Sequence, residues 1–486
     1  MTLHDVSEGV NAVRVKRSLI LPSIVAMVAV ACAEMRPNLV EVYPHAARTP
    51  HRPVIIIPGV FGSRLMDERT GEVVWGRLAN LLTSRFKLAL NPLRAERTDL
   101  LDLPIDSTDM TANRDHLLAY DLFDGLAGRA FYKRIVATLT GVAGYHYGDI
   151  ADPRPGEDCF AFYYDWRRDV VENARLLGEA IARVRSVSRD GSGESPKVDL
   201  IAHSMGGLVA RYYVKYGSRD VLSERQPDLD YAGARDVDTV VLIGVPNEGS
   251  LDSLLSLNKG IRIARPLPPE AIFTMPAAYQ TLPRVRVGPF IDSSGRPLDI
   301  DLYEPANWER YGWSAFAPES LRRLRAESVR EFGREEGRRR YEKRVEEMRL
   351  FLVAALDRAG RLNLSLDRRG RVEDPVHYFA FGGDCTPTPA RAMILTEEDG
   401  AVRTITRFKD LPGRLATPEI QRLMVEPGDG SVTRSSLLTQ HSGEAATDPM
   451  SGLHLDYSLF LCDTHRNLTE NVTFQDNLLQ FLLYRR

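Results

Sequence analysis

Beyond residue 52 the apolar residues come in short unbroken runs instead of alternating with polar ones. Val54-Ile55-Ile56-Ile57 is apolar at four successive positions and stops at Pro58-Gly59. Successive side chains of a strand point to opposite faces, so this run predicts a strand buried on both, as in a parallel sheet lying between helix layers. Comparable runs occur at 160–164, 198–202, 239–244 and 378–381, separated by amphipathic or loop-rich stretches. The strand-then-helix rhythm predicts an α/β fold on a doubly wound, mostly parallel sheet. Between 247 and 375 it breaks, first into Pro-rich sequence and then into an Arg/Glu-rich segment, 319–349, that keeps Leu321, Leu324, Tyr341, Val345 and Met348 at helical spacing. We expect a cap or lid inserted there, its charges forming a solvated helix face. The chain then divides into a signal over 1–33, a linker over 34–52, a core over 53–246, the cap over 247–375 and the rest of the core over 376–486.

Val198-Asp199-Leu200-Ile201-Ala202 reads as strand and Met205 onward as helix, with Ser204 at the junction inside Ala202-His203-Ser204-Met205-Gly206-Gly207. That is the pattern of a nucleophile elbow, in which small residues two before and two after the Ser let strand and helix approach. Ala202 stands where Gly is usual, and one methyl still fits. Acyl transfer at such a serine needs two backbone N–H donors for the developing oxyanion. Met205, at the helix start, supplies one; the loop Pro58-Gly59-Val60-Phe61-Gly62 should supply the other, from Val60.

In α/β-hydrolases the order along the chain is Ser, then Asp or Glu, then His. His441 and His454 sit in polar sequence, whereas His465 follows the apolar run 459–462 and precedes an apolar helix over 474–483, which puts it at the end of the last strand. Two acids contend: Asp384, directly after the strand ending at Phe381-Gly382-Gly383, and Asp429 in Pro427-Gly428-Asp429-Gly430-Ser431. Spacing alone leaves both open.

Five segments, taken in order, resemble one family. They are Pro58-Gly59-Val60-Phe61-Gly62-Ser63-Arg64-Leu65, Tyr164-Asp165-Trp166-Arg167, the elbow, Gly428-Asp429-Gly430-Ser431-Val432 and the late His465. Together they are similar to the lecithin:cholesterol acyltransferase family, which includes lysosomal phospholipase A2 and phospholipid:diacylglycerol acyltransferases. The resemblance implies an α/β-hydrolase with Asp429 as the catalytic acid, Asp384 in a secondary role and an oxyanion amide just after Pro58-Gly59. Val73-Val74-Trp75 resembles the aromatic segment through which the family contacts lipid, without its disulfide loop; a buried structural Trp is the alternative. Asp165 and Arg167 read as an internal ion pair that fixes a loop.

The implied activity is a serine acyl hydrolase or O-acyltransferase that works on phospholipid or acylglycerol esters at a membrane or lipoprotein surface. The alternatives are a general carboxylesterase or lipase, a peptidase, and a catalytically silent lipid-binding member. Arg14, Lys16 and Arg17 ahead of an uncharged apolar stretch over 18–33 predict an export signal. Ala31-Cys32-Ala33 suits ordinary cleavage, and 28–32 suits a lipobox ending at a lipidated Cys32, so the body is expected to be periplasmic, lipid-anchored or secreted. A formal charge of −3, from 63 basic and 66 acidic residues, lacks the electrostatic footprint of a nucleic-acid binder. No Cys or His grouping has metal-site spacing, and no cofactor is expected. Cys385 and Cys462 follow what should be the last two, neighbouring core strands; we expect separate buried thiols, with a bridge near the active edge as the alternative.

Overall fold

Six parallel strands form the central sheet: β1 Val54–Ile57, β2 Cys159–Ala161, β3 Val198–His203, β4 Val237–Ile243, β5 His377–Gly383 and β6 Tyr457–Leu461. This computed structural model describes residues 37–76, 101–111, 115–123, 132–189, 193–224, 227–262, 266–369, 374–397, 400–440 and 453–484. The stretch over 1–33 expected to be an export signal, with Cys32, and His441 lie outside them. The chain divides into two units, Met1–Val42 and Tyr43–Arg486; in the first, the described residues hold one helical turn, Leu39–Val42.

The spatial order β2-β1-β3-β4-β5-β6 puts β2 on one side of β1 and every later strand on the other. Connections from β1 therefore diverge, leaving a crevice at the carboxyl ends of β1 and β3, where open α/β sheets bind ligands. Every residue of β1 and β3 is buried, as unbroken apolar runs require. The sheet is that of an α/β-hydrolase. Helices of nine residues or more, among those described, are α1 Lys133–Gly141, α2 Val170–Val187, α3 Met205–Tyr216, α4 Leu251–Lys259, α5 Pro318–Phe332, α6 Arg334–Asp367 and α7 Val472–Tyr484.

The Arg/Glu-rich segment is not one helix. Gly333, at φ 80°, breaks it into α5 and α6, which pack together as a hairpin. The start of α6 carries surface pairs such as Arg340–Glu336 at 2.8 Å, as expected of a solvated face. Its second half runs on past 349 to Asp367 and buries Phe351, Leu352, Ala355, Leu356, Ala359, Leu362 and Leu366 at helical spacing. All twelve residues of α3 are buried, including Arg211 and Lys215, because three of its side chains satisfy the last carbonyls around the end of α6. Arg211 Nη2 donates to Leu366 O at 3.2 Å, Tyr216 Oη to Ser365 O at 3.0 Å and Lys215 Nζ to Arg368 O at 2.5 Å. Arg358 of α6 also pairs with Asp169, the N-cap of α2, at 2.7 Å. The inserted region is thus clamped to both helices that flank β3.

The region over 247–375 is not self-contained. Phe290–Ile291 pairs with Ala392–Thr396, which pairs with Val402–Ile405, so sequence between β5 and β6 completes a small sheet with the insertion. The strand predicted over 160–164 pairs only over Cys159–Ala161.

Cys385 and Cys462 are bonded, with Cα atoms 5.0 Å apart, in place of the separate thiols expected. The register Gly383↔Leu461 between β5 and β6 brings the two chain exits side by side. Cys159 is a free thiol inside β2, and burial pushes its pKa up to about 12.

Past β2, Arg167 is fully buried between two carboxylates: Nη2 lies 2.6 Å from Asp165 Oδ2 and Nη1 2.6 Å from Asp115 Oδ2. The ion pair expected of Asp165 and Arg167 thus has a third member. Removing one partner of a buried ion cluster leaves uncompensated charge. Arg167→Met should therefore lower unfolding free energy by about 3–5 kcal/mol. Urea unfolding followed by tryptophan fluorescence measures it; a loss below about 1 kcal/mol would contradict the assignment.

Candidate active site

Ser204 follows β3 and starts α3 with φ 54° and ψ −129°. An L-residue reaches that region only when its surroundings force it, at a cost of about 1–3 kcal/mol. Here Ser204 N–H donates to Ile243 O on β4 at 2.8 Å, and its carbonyl accepts Gly207 N–H at 2.9 Å. The turn brings α3 against β1 so closely that a Cβ on Gly206 would stand 2.5 Å from Pro58 O.

The structure brings three of the candidate side chains into one hydrogen-bonded chain. His465 Nε2 lies 3.0 Å from Ser204 Oγ, and its Nδ1 lies 2.7 Å from Asp429 Oδ2. Asp429 Oδ1 accepts the Ser431 and Val432 N–H groups at 2.9 and 2.7 Å, and Asp429 O accepts His465 N–H at 2.8 Å. The carboxylate is held, and its loop is tied to that of the histidine. Gly244 after β4, at φ 55°, makes room: a Cβ there would come 2.9 Å from His465 Nδ1. Asp384 is not in this chain; it faces Arg434 at 3.6 Å. His454 is exposed.

Burial disfavours charge on both members of the pair, yet their mutual attraction prevails. Against burial, the Asp429 charge and hydrogen bond hold the His465 pKa above the ordinary histidine value. Against burial, the His465 charge and hydrogen bonds, with the Val432 and Ser431 amides, hold Asp429 below its usual range. His203, beside Ser204, is the opposite case: burial first, then the nearby His465 charge, drives its pKa down to about 3.

These groups open on a cavity of about 730 Å³. Val60 and Met205 line it, and among the described residues neither backbone N–H has a hydrogen-bond acceptor in the protein. Phe61, next to Val60, adopts φ 66° and is held there by Trp75, whose Nε1 donates to Phe61 O at 3.1 Å. Its ring packs on Trp75 and Trp166 at 5.1 and 4.4 Å between centroids. Trp75 is 3% exposed, so it is a buried structural residue that also forms a cavity wall. Leu255, Ile272 and Met275, from the inserted region, form another apolar part of the lining.

Sequence reasoning missed Tyr132, His203 and Asp252, all on this cavity. Asp252 accepts the Ser431 hydroxyl at 3.0 Å, and burial pushes its pKa up. His203 lay inside the elbow motif and could have been flagged; Tyr132 and Asp252 carry no local signal.

Residues 157–250, which include Ser204, match the family described as PGAP1-like alpha/beta domain. That description is an α/β-hydrolase-type domain and does not name the lecithin:cholesterol acyltransferase family, whose likeness rests on the five sequence segments. A chain in the crystal structure of the Tle4–Tli4 complex aligns with 14% identity and TM-score 0.45, over 89% of this chain and 98% of that one. No curated protein matches. No helix among the described residues is long and apolar enough to cross a membrane.

A raised His465 pKa has a definite sign. The pairing stabilises the fold fully below the unfolded histidine pKa of about 6.5, and that contribution is lost as pH rises through the higher folded pKa. ¹⁵N NMR should place the His465 titration above 6.5, and Asp429→Asn should move it down. An unchanged midpoint in the variant would rule out Asp429 as the cause.

Proposed function

We propose that the chain is a serine acyl hydrolase of lipid esters that works through an acyl-Ser204 intermediate. The observation that carries this is the Ser204–His465–Asp429 chain, 3.0 and 2.7 Å between partners, opening on a cavity with an aromatic and aliphatic wall. A polar reacting end beside an apolar wall suits an ester that carries an acyl chain. The α/β-hydrolase sheet and the PGAP1-like match across the elbow support the same reading.

His465 Nε2 takes the Ser204 hydroxyl proton as Oγ attacks the ester carbonyl. The carbonyl oxygen gains negative charge and accepts hydrogen bonds from the Val60 and Met205 amides, both without a competing acceptor among the described residues. Asp429 keeps the remaining imidazole proton on Nδ1 and stabilises the imidazolium. The tetrahedral intermediate collapses, His465 gives its proton to the departing alkoxide, and the acyl group stays on Ser204. Water, deprotonated by His465, reverses these steps and releases the acid; an alcohol in its place yields acyl transfer through the same intermediate. The lipid-bearing surface on which this would occur is a membrane or lipoprotein, which requires the export expected from the N-terminal sequence.

Ser204→Ala should fold normally and lose esterase activity by about 10⁴- to 10⁶-fold. A chain-length series of p-nitrophenyl esters and phospholipid vesicles measures it, and fluorophosphonate labelling should vanish with the serine. Near wild-type turnover in this variant would end the reading, and unlabelled folded wild-type protein would favour a silent binding protein.

The two acids separate cleanly. Asp429→Asn should lower kcat by about 10⁴-fold through loss of the reactive tautomer, while Asp384→Asn should stay within about threefold of wild type. A larger loss at Asp384 would reverse the assignment.

A further inference from the structure

Two buried polar side chains on the cavity take no part in the serine–histidine–aspartate chain, yet they join the two segments that flank it. Gly59 N–H, one residue before Val60, donates to Tyr132 Oη at 2.9 Å. Tyr132 Oη lies 2.9 Å from His203 Nδ1, and His203 Nε2 lies 3.1 Å from the backbone carbonyl of His465. The His203 and His465 rings are 4.8 Å apart. The Gly59 end presses on the serine itself, since a Cβ there would stand 2.7 Å from Ser204 Cβ.

Proton counting allows one arrangement. An amide N–H only donates and a carbonyl only accepts. The His465 carbonyl therefore requires the proton on His203 Nε2, and Gly59 N–H requires a lone pair of Tyr132 Oη. The hydroxyl proton must then point at His203 Nδ1, which in a neutral ring protonated at Nε2 is a lone pair. Every group is satisfied. The opposite tautomer would set the Nε2 lone pair against a carbonyl oxygen, and an imidazolium would leave the Tyr132 proton without an acceptor. Burial, which holds the His203 pKa near 3, keeps the ring neutral at any working pH of a histidine base.

Resting on the serine-hydrolase reading, we propose that Tyr132 and His203 are positioning residues: one proton-ordered chain from Gly59 N–H to His465 C=O fixes the Val60 amide and the His465 imidazole relative to each other around Ser204. Oxyanion donor and base belong to different segments, the loop after β1 and the loop after β6, and they must hold register to a fraction of an ångström while charge moves between them. The chain crosses under the serine and ties one to the other. Among the described residues, the Tyr132 and His203 side chains hydrogen-bond to each other, to Gly59 and to the His465 carbonyl, and to neither Ser204 Oγ nor Asp429. Loss of either should fall on the chemical step, not on substrate binding.

The test uses the full chain with p-nitrophenyl butyrate as substrate and compares wild type, Tyr132→Phe, His203→Gln and the double variant. Each single change should lower kcat by about 10- to 100-fold and leave KM within about twofold. The double variant should be little worse than the worse single one, because both break the same chain. Urea unfolding of each variant separates a positioning loss from a folding loss. In the wild type, ¹⁵N NMR of histidine-labelled protein at neutral pH should report His203 as the neutral Nε2–H tautomer, its resonance assigned by its absence from His203→Gln. Wild-type kcat in both single variants, multiplicative losses in the double, or an Nδ1–H or charged His203 would each overturn the proposal. Should Tyr132→Phe and the double variant fail to fold, the His203→Gln kinetics and the wild-type tautomer still decide; should His203→Gln fail to fold, replacing the other nine histidines one at a time assigns the His203 resonance by elimination. Failure of the hydrolase reading shows separately, as wild-type protein that fluorophosphonate leaves unlabelled, and the positioning role would fall with it.

Discussion

The left-handed backbone of Ser204 is the constraint on which the rest of the site depends. At φ 54° the residue stands clear of both the strand it ends and the helix it begins, so its hydroxyl faces the crevice instead of the core. A conformation that costs energy persists only where neighbours fix it. β4 does so through Ile243 O, α3 through Gly207 N–H, and β1 through the close approach of Pro58 to Gly206. The parallel sheet is thus the reason a serine can hold a backbone it would otherwise avoid.

Sheet topology then decides what can surround that serine. Because β2 and β3 lie on opposite sides of β1, the loop after β1 enters the crevice next to the turn of Ser204, and β4, β5 and β6 deliver theirs from the other side. Asp429 comes from the long excursion between β5 and β6, and His465 from just past β6. The disulfide between Cys385 and Cys462 closes the neck of that excursion, three residues from His465 in one direction and next to Asp384 in the other. The inserted region is no loose flap: the end of α6 is capped by Arg211, Lys215 and Tyr216 of the helix that Ser204 begins. Leu255, Ile272 and Met275 of that region and a wall of Phe61, Trp75 and Trp166 line the same cavity.

Electrostatics within this lining is local. His465 and His203 are neighbouring imidazoles whose pKa values are driven apart, one up by Asp429 and one down by burial. One ring is therefore available to carry a proton and the other is held neutral, a division of labour set by burial and by one carboxylate beside only one of the rings.

Much of this was legible in the chain. Unbroken apolar runs gave the buried strands, since a strand covered on both faces has no place for alternation, and the small residues around Ser204 gave the elbow, since the turn admits nothing larger at Gly206. His465 followed from its place after the last strand. The choice between Asp384 and Asp429 was not legible from spacing: one follows a strand, the other sits in a Gly-rich turn, and only the family resemblance pointed to Asp429; the folded loops bring Asp429 to Nδ1 of the histidine and Asp384 to Arg434. The bond between Cys385 and Cys462 depends on the register of β5 against β6, which no local pattern encodes. Tyr132 lies 71 residues from His203 and carries no signal of its own. Sequence determines which segments become strands, turns and helices, because burial and backbone sterics act on neighbouring residues. Tertiary structure alone decides which distant polar groups meet, because a buried hydrogen bond has to be completed in space, whatever the separation along the chain.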